Sequence, residues 1–283
     1  MTLTFPIEFT KMSGAGNDFI LIDHRRPFLR KEEMAAFARA VCERKFSVGA
    51  DGLILIEESP EADFSWQFLN GDGSFAEMCG NGARCAARFA HARGIAPARL
   101  RFMTLAGIIE AEVIDASVRL KMTPPTDLRL DRTVEIDEET KSIHSVNTGV
   151  PHAVLFTENI AEAPVQAWGR FIRFHPMFQP SGTNVNFVQQ TTGDTLTVRT
   201  YERGVEDETM ACGTGAVAAA IVSVLRGMVK PPVKVVTSGR EQLTIHLQVS
   251  QASPPQLSEV YLEGPANFIY EGRLNVESLR RKS

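Results

Sequence analysis

The chain has 283 residues, with 30 lysines and arginines against 34 aspartates and glutamates, and a formal net charge of -4. This length accommodates two domains of ordinary size. The slight negative charge argues against nucleic-acid binding, which requires a basic surface. The first residues lack the basic and apolar regions of a signal peptide, and the longest apolar run, 215–225, is too short to span a bilayer. We therefore expect a cytoplasmic protein that binds neither nucleic acid nor membrane.

The cysteines are few for this length and stand at Cys42, Cys79, Cys85 and Cys212. In a reducing compartment they are expected to be free thiols. No spacing of cysteines and histidines in the chain matches the four-ligand set of a zinc site. The sequence therefore predicts no bound metal.

The first half predicts strands interrupted by two helices, of which the first, over 31–44, carries its apolar residues on one face. The second helix is expected over 79–93, ended by Gly94. The predicted strands are 7–11 and a second ending near Asp23, then one after the turn in "GADGLILIEE" (49–58) and one before the turn in "DFSWQFLNGDGS" (63–74). Short strands are also predicted at 100–103, 107–114 and 118–122. The prolines in "TPPTD" (123–127) then predict a domain boundary, because adjacent prolines break both helices and strands.

The second half predicts the same plan. A strand at 153–157 leads to a helical stretch, and a long helix is expected over 212–226, ended by Gly227. The segment "SGTNVNFVQQ" (181–190) follows the helical stretch, and the other predicted strands are 195–203, 233–236, 243–247 and 260–262.

An internal repeat relates the two halves. Cys79 lies 15 residues before Gly94, and Cys212 lies 15 residues before Gly227. Aligning the two cysteines also pairs Gly80, Gly82, Ala83, Ala86, Ala87 and Arg93 with Gly213, Gly215, Ala216, Ala219, Ala220 and Arg226. Each copy also follows a strand and a polar loop. The chain is therefore interpreted as two copies of one α/β domain that face each other.

A cysteine at the start of a helix has a chemical consequence. The first four N–H groups of a helix are unpaired, and the helix start carries about half a positive charge. A cysteine there is expected to have a lowered pKa and some thiolate character. The glycines that follow leave the N–H groups accessible to an anion such as a carboxylate. Each half of the chain thus predicts a thiol beside a carboxylate cradle.

Two such thiols suit the inversion of a carbon that bears a proton. One base removes the proton from one face while an acid supplies a proton to the other face. Donors aimed at the carboxylate stabilise the carbanion that develops at the α-carbon of an amino acid. This chemistry needs no cofactor, and none is expected.

Simpler interpretations apply to some of these residues. A cysteine inside a helix is usually a small buried apolar residue, and this is the interpretation for Cys42 and Cys85. A phosphate-binding turn is the rival interpretation of the two Gly-x-Gly segments. They lack the lysine and the Ser/Thr of a phosphate loop, and no Rossmann fingerprint is present.

Five segments together resemble the diaminopimelate epimerase family, in family order and over nearly the whole chain. The segment "NGDGSFAEMCGNGAR" (70–84) matches the family signature N-x-D-G-S-x4-C-G-N-G-x-R at every fixed position. The other segments are "GAGNDF" (14–19), "PH" (151–152), "NVNF" (184–187) and "YERG" followed by "ETMACGTGA" (201–216).

The resemblance implies an α/β (α+β) fold of two pseudo-symmetric domains, each a curved mixed sheet around a central helix, with the active site in the cleft between them. The first domain would cover 1–124 and the second 125–264. A C-terminal strand within 265–283, "NFIYEGRL", would return to the first domain. The implied activity is the interconversion of LL- and meso-diaminopimelate without a cofactor, in the synthesis of lysine and cell-wall precursors.

The resemblance also assigns roles to individual residues. Cys79 and Cys212 would exchange the proton, and His152 and Glu202 would lie near the thiols and tune them. The residues implied in substrate binding are Asn17, Asn70, Gly80, Asn81, Asn184, Glu202, Arg203, Gly213 and Thr214. Taken alone, an asparagine in a glycine-rich loop equally serves the turn itself, and a lone His or an adjacent Glu-Arg pair is commonly structural.

Two positions depart from the family. Val150 stands where many members have Asn, and Gly52 stands where some have Gln, so two amides are missing from the expected distal substrate end. Another cofactor-independent racemase, for histidine, glutamate or proline, stays an alternative. Asn81 disfavours the proline type, which usually has His there. A non-catalytic binding protein is a third interpretation, disfavoured because both thiols are present, and an isomerase of the phenazine type would lack the cysteine pair. The sequence leaves the oligomeric state open, with a homodimer as one alternative.

Overall fold

A computed structural model of the chain describes residues 3–250, 252 and 256–279. The described residues up to Leu120 and from Gly264 onward form one compact unit, and Lys121–Glu263 form a second. None of the helices in these residues combines the length and the apolarity that a transmembrane span requires.

The residues that the structure describes form mainly strands, with four α-helices between them. The strands are, in chain order, Ile7–Gly14 (β1), Asn17–Asp23 (β2), Gly52–Glu57 (β3), Phe64–Asn70 (β4), Arg99–Thr104 (β5), Gly107–Ile114 (β6), Ser117–Lys121 (β7), Thr126–Ile136 (β8), Glu139–Asn147 (β9), Pro151–Phe156 (β10), Asn184–Gln190 (β11), Thr195–Glu202 (β12), Asp207–Thr209 (β13), Val233–Val236 (β14), Gln242–Val249 (β15), Leu257–Pro265 (β16) and Asn267–Leu274 (β17). The α-helices are Lys31–Cys42 (α1), Gly80–Ala92 (α2), Val165–Arg173 (α3) and Gly213–Leu225 (α4). Short 3-10 turns lie at Ile160–Glu162, Pro176–Phe178 and Val276–Leu279.

The first unit contains a mixed sheet with the strand order β17-β1-β2-β3-β4-β5-β6-β7. The parallel pairs are β2–β3 and β4–β5, and each is joined by a helix, α1 in the first case and α2 in the second. The C-terminal strand β17 pairs antiparallel with β1, so the chain end completes the sheet that the first residues begin.

Alternation along the central strands gives this sheet two apolar faces. Phe19 and Leu21 of β2 pack in a cluster with the alanines of α2, whereas Ile20 and Ile22 pack in a second cluster with α1. Strand β3 divides its side chains in the same way. Because both faces of the sheet are buried here, the sequences of β2 and β3 are almost continuously apolar. The alanines of α2 therefore pack in an apolar cluster against one face of the sheet.

The second unit repeats these pairings. Its sheet has the order β8-β9-β10-β11-β12-β14-β15-β16, with parallel pairs β10–β11 and β12–β14. Helices α3 and α4 join those pairs as α1 and α2 do in the first unit. The short strand β13 adds to β12 just before α4. The predicted repeat is thus present in strand pairing as well as in sequence, and the prediction of two pseudo-symmetric mixed α/β units is confirmed.

The hairpin β8–β9 has no counterpart in the sequence prediction. It begins at Thr126, directly after the two prolines, and turns at Asp137 and Glu138, which both have positive φ. Strand β8 exposes most of its side chains. A polar two-stranded ribbon gives a weak apolar alternation, and for this reason the sequence pattern did not reveal it.

Candidate active site

Cys79 is the residue that begins helix α2. Its backbone is extended, and its carbonyl accepts the first helical hydrogen bond, from the N–H of Ala83 at 2.8 Å. The side chain is partly buried. A Cβ placed on Gly80, the next residue, would meet no atom within 4 Å. The start of α2 therefore presents a thiol beside one glycine, Gly80, that has open space around it.

Arg84 lies one turn into α2 and is fully buried. Its guanidinium donates to the Pro265 carbonyl at 3.2 Å, to the Gly80 carbonyl at 3.4 Å and to the Asn81 side chain at 2.9 Å. A buried cation near the positive end of a helix dipole is unfavourable unless oxygens surround it, and here three oxygens do. This side chain adds positive charge to the same helix start that carries Cys79.

The tight β1–β2 hairpin brings Asn17 to this helix start. Ala15 and Gly16, the two turn residues, both have positive φ. The Asn17 side chain accepts a hydrogen bond from Asn81 at 2.8 Å and donates one to Asp51 at 2.9 Å. The structure thus joins two of the predicted binding residues of the first unit, and Asp51 fixes which end of the Asn17 amide points toward Asn81.

Asn70 has a local role in the structure. It is exposed, and its amide donates to the Ser74 hydroxyl at 3.0 Å across the turn that follows β4. This is the turn-forming role that asparagines have in glycine-rich loops. The described contacts do not join Asn70 to Cys79, so its place in substrate binding stays a prediction.

Cys212 begins helix α4 as Cys79 begins α2. Its backbone is extended, and its carbonyl accepts from the N–H of Ala216 at 2.9 Å. The thiol lies 3.5 Å from the Thr214 hydroxyl. The Thr214 carbonyl in turn accepts from the Thr148 hydroxyl at 2.9 Å, which ties the first turn of α4 to the loop before β10.

The expectation of a lowered thiol pKa is wrong for Cys212. Burial raises its pKa to about 12, and the nearby Glu202 carboxylate acts in the same direction. The Thr214 hydroxyl and the backbone N–H groups of Thr214 and Gly215 lower the pKa, but these dipoles do not outweigh the loss of solvation. Cys212 is therefore a protonated thiol at neutral pH in this structure.

Glu202 and Arg203 stand at the end of β12. Burial raises the pKa of Glu202, against a hydrogen bond from the Thr209 hydroxyl at 2.7 Å. The Asn184 side chain accepts from the Arg203 backbone N–H at 2.8 Å and donates to the Pro151 carbonyl at 3.3 Å. Asn184 thus connects the ends of β10 and β12, and the structure brings it together with Arg203.

His152 is fully buried on β10, opposite Asn184 in the parallel pair. Burial lowers its pKa to about 3, and the positive charge of Arg203 acts in the same direction. The imidazole is consequently neutral at every pH at which the protein is expected to work. Its Nε2 atom has no hydrogen-bond partner among the described residues.

The pKa of His152 predicts an acid-sensitive stability. The unfolded chain binds a proton at this residue below its ordinary pKa, near 6.5, whereas the folded protein does not until the pH approaches 3. The stability contribution is therefore complete above pH 6.5 and declines as the pH falls from there. We expect the folded state to lose about 2 kcal/mol between pH 7 and pH 5 from this residue.

Urea denaturation of the wild type and of His152→Gln at both pH values measures this loss. The contribution of His144, whose pKa burial also lowers, cancels in the comparison. A wild type whose pH dependence equals that of His152→Gln would show that His152 titrates normally.

Individual glycines at the two helix starts differ in how much space surrounds them. A Cβ on Gly215 would overlap the Asn186 side-chain oxygen and lie 3.3 Å from Cys212 Sγ, whereas a Cβ on Gly80 would meet nothing. We expect Gly215→Ala to destabilise the protein by about 1–3 kcal/mol, as overpacking does. Gly80→Ala is expected to be neutral or slightly stabilising, because alanine favours the helix. Urea denaturation of both variants is the measurement, and equal stabilities would contradict the packing described here.

Two buried residues that contact the predicted site were absent from the sequence prediction. Arg84 lies inside the motif of the first cysteine, and Asn186 lies two residues after Asn184. On a strand, that spacing places both asparagines on the same face, and this was the signal that could have identified Asn186. No group of three or more His, Cys, Asp or Glu side chains in the described ranges is arranged to hold a metal ion.

A scan of known families matches residues 9–127 and 144–269 to the family model described as diaminopimelate epimerase. The chain is 50% identical over 284 residues to the diaminopimelate epimerase of Aquifex aeolicus, covering 96% of this chain and 99% of that one. It is 44% identical to the diaminopimelate epimerase of a Hydrogenobaculum species, covering 95% and 98%.

The chain belongs to the diaminopimelate epimerase family.

Among solved structures, a phenazine biosynthesis protein of the PhzF family from Bacillus anthracis matches with a TM-score of 0.72 over 96% of this chain and 100% of that one. At 14% identity this likeness shows the fold alone. The assignment of this chain to the diaminopimelate epimerase family therefore rests on its sequence relatives. The fold is also found in proteins outside that family.

Gly52, where the resemblance leads us to expect Gln in some members, lies in a crowded place. A Cβ on Gly52 would lie 2.7 Å from the Phe68 ring and 2.8 Å from the Leu69 carbonyl oxygen. A glutamine therefore does not fit at this position, because Phe68 fills the space beside it.

Proposed function

We propose that this protein is a cofactor-independent isomerase that interconverts LL- and meso-diaminopimelate. The observation that carries the proposal is the repeated start of α2 and α4, where a partly buried cysteine precedes a glycine-opened first turn. Inverting a carbon requires a base on one face and an acid on the other, and two thiols in different protonation states supply both.

We assign the resting states from the surroundings of each thiol. Cys212 is protonated because burial and Glu202 raise its pKa to about 12. The start of α2 instead contains the buried guanidinium of Arg84, and the corresponding position of the repeat is the uncharged Val217. A cation favours a thiolate, so Cys79 is the resting base and Cys212 the resting acid.

In this mechanism Cys79 removes the proton from one face of the α-carbon, and Cys212 delivers its own proton to the opposite face. The two thiols have then exchanged states, and the product can react in reverse. The backbone N–H groups of Gly80, Asn81, Gly213 and Thr214 donate hydrogen bonds to the reacting carboxylate in this mechanism and stabilise the carbanion. Glu202, with its raised pKa, faces Cys212 and influences how readily that thiol gives up its proton.

The remaining polar groups are proposed to bind the ends of the substrate. Arg203 offers a cation to a carboxylate, and the amides of Asn17, Asn70 and Asn184 offer hydrogen bonds to carboxylate and ammonium groups. A substrate with two ammonium and two carboxylate groups matches this mixture better than proline, which has neither a second ammonium nor a second carboxylate group.

Incubating the purified protein with LL-diaminopimelate and separating the stereoisomers by chiral chromatography tests this function. We expect the meso form to appear and the reverse reaction to occur from meso-diaminopimelate. Proline, glutamate and histidine, assayed in parallel, should keep their configuration. Faster racemisation of any of these three than of diaminopimelate would replace the proposal with the corresponding racemase.

A further inference from the structure

The Nδ1 and Nε2 atoms of His152 have different environments. Nδ1 lies 3.1 Å from the Asn186 side-chain nitrogen. Nε2 is buried and has no hydrogen-bond partner among the described residues. A buried polar atom without a hydrogen-bond partner destabilises the folded protein by about 1–3 kcal/mol. Its presence at Nε2 therefore suggests that a bound ligand supplies the missing partner.

Neighbouring groups fix the orientation of the Asn186 amide. Its nitrogen donates to the Ala153 carbonyl at 2.8 Å, and its oxygen accepts from the Thr200 hydroxyl at 2.9 Å. All three residues are buried. The amide nitrogen, a donor only, must therefore face His152, and Nδ1 must accept with its lone pair.

We propose that Asn186 is a positioning residue that holds His152 in the Nε2–H form, so that His152 donates a hydrogen bond to a carboxylate oxygen of the bound substrate. This inference rests on the proposed function, which supplies a carboxylate-bearing substrate. In this form Nδ1 is occupied and Nε2 already carries its proton. His152 is thus a donor and not the base that removes the α-proton.

The surroundings of His152 favour an anionic acceptor. Arg203 is close enough for its charge to lower the pKa of His152 further, and its backbone N–H is held by Asn184, the strand neighbour of His152. A neutral N–H donor beside a fixed cation suits a carboxylate. The Asn186 side chain also borders Cys212, since a Cβ on Gly215 would touch both. The donor therefore belongs to the same half of the site as that thiol.

The tautomer can be measured on the free protein, without any assay of activity. Two-dimensional ¹⁵N–¹H spectra of protein labelled at histidine distinguish Nδ1–H from Nε2–H rings, and His152→Gln identifies the signals of His152. His24 is an internal reference of the opposite kind, because its Nε2 accepts the backbone N–H groups of Phe28 and Leu29, at 3.0 and 3.1 Å. We expect Nε2–H for His152 and no change of its signals between pH 5 and pH 8.

Asn186→Asp replaces the donor at Nδ1 by an acceptor and is expected to reverse the tautomer. The lone pair of Nε2 would then face the carboxylate, and kcat/KM for diaminopimelate should fall about 10- to 100-fold, mainly through KM. Gln190→Ala is the matched control, since this amide lies on the same strand but is exposed and, within the part of the chain that the structure describes, donates to the Gly193 and Met228 carbonyls. Thr200→Val, which removes only the hydrogen bond to the Asn186 oxygen, should have a smaller effect in the same direction.

The outcomes separate the parts of the inference. An Nδ1–H or doubly protonated His152 in the wild type at neutral pH would overturn it, even if Asn186→Asp fails to fold. A folded Asn186→Asp that keeps the Nε2–H form would overturn the role of Asn186. A reversed tautomer with unchanged KM would overturn the donation to substrate. If diaminopimelate is not a substrate at all, the proposed function fails, while the tautomer of the free protein is still determined.

Discussion

Cys79→Ala and Cys212→Ala will each abolish the interconversion of LL- and meso-diaminopimelate. Inversion needs both a base and an acid, and removing either one leaves no second group to transfer the proton on that face. Loss of general acid–base catalysis alone lowers rates by about 10²- to 10⁴-fold, so we expect less than about 1% of wild-type kcat/KM. Chiral chromatography of the product measures the residual rate.

The other two cysteines provide matched controls. Cys42 ends α1 and Cys85 lies inside α2, so these two buried thiols, unlike Cys79 and Cys212, do not stand at the start of a helix. Cys42→Ala and Cys85→Ala should keep most of the activity, with a stability loss on the order of 1 kcal/mol from the lost packing. Near-normal turnover by Cys79→Ala or by Cys212→Ala would remove that residue from the proposed mechanism.

Arg84→Met will destabilise the protein by about 3 kcal/mol and lower kcat about tenfold or more. Methionine fills much of the buried volume but donates no hydrogen bond, so the oxygens of Asn81 and Pro265 lose their donor. The start of α2 also loses its buried cation, and the thiolate proposed for Cys79 becomes less favourable. Urea denaturation measures the first effect, and steady-state kinetics on the fraction that remains folded measure the second.

Arg99→Met is the control for this substitution. The Arg99 side chain is 85% exposed and forms a surface ion pair with Glu112, of the kind that contributes little to stability. It should change neither stability nor kcat appreciably. If Arg84→Met were as stable and as active as Arg99→Met, Arg84 would have no part in holding the helix start or in supporting the thiolate.

The sequence predicts both cysteine-bearing helix starts because the information there is local. A cysteine, a glycine-opened first turn and a glycine cap follow one another within 16 residues, and the second copy repeats them. The alanines that align between α2 and α4 are buried in the structure because each helix packs in an apolar environment. Elements of this kind are determined by residues that are neighbours in the chain, and they can therefore be predicted from the sequence.

The electrostatics of the site depend on the fold and could not be predicted. Whether a cysteine at a helix start is a thiol or a thiolate is decided by burial and by groups distant in sequence. Glu202 acts on Cys212 in this way, and for Cys212 burial outweighs the dipole of the helix start. The neutral state of His152 likewise follows from its complete burial and from the partners of Asn186, which come from two neighbouring strands.

The central claim is that two different groups, Cys79 and Cys212, act on opposite faces of one carbon. Incubating LL-diaminopimelate in D₂O and following deuterium at the α-carbon of substrate and product at low conversion tests it most directly. A two-base mechanism predicts that the product acquires its α-hydrogen from solvent while unreacted substrate keeps its own. Deuterium that enters the substrate pool as fast as the product pool would indicate a single base, and this result would contradict the account.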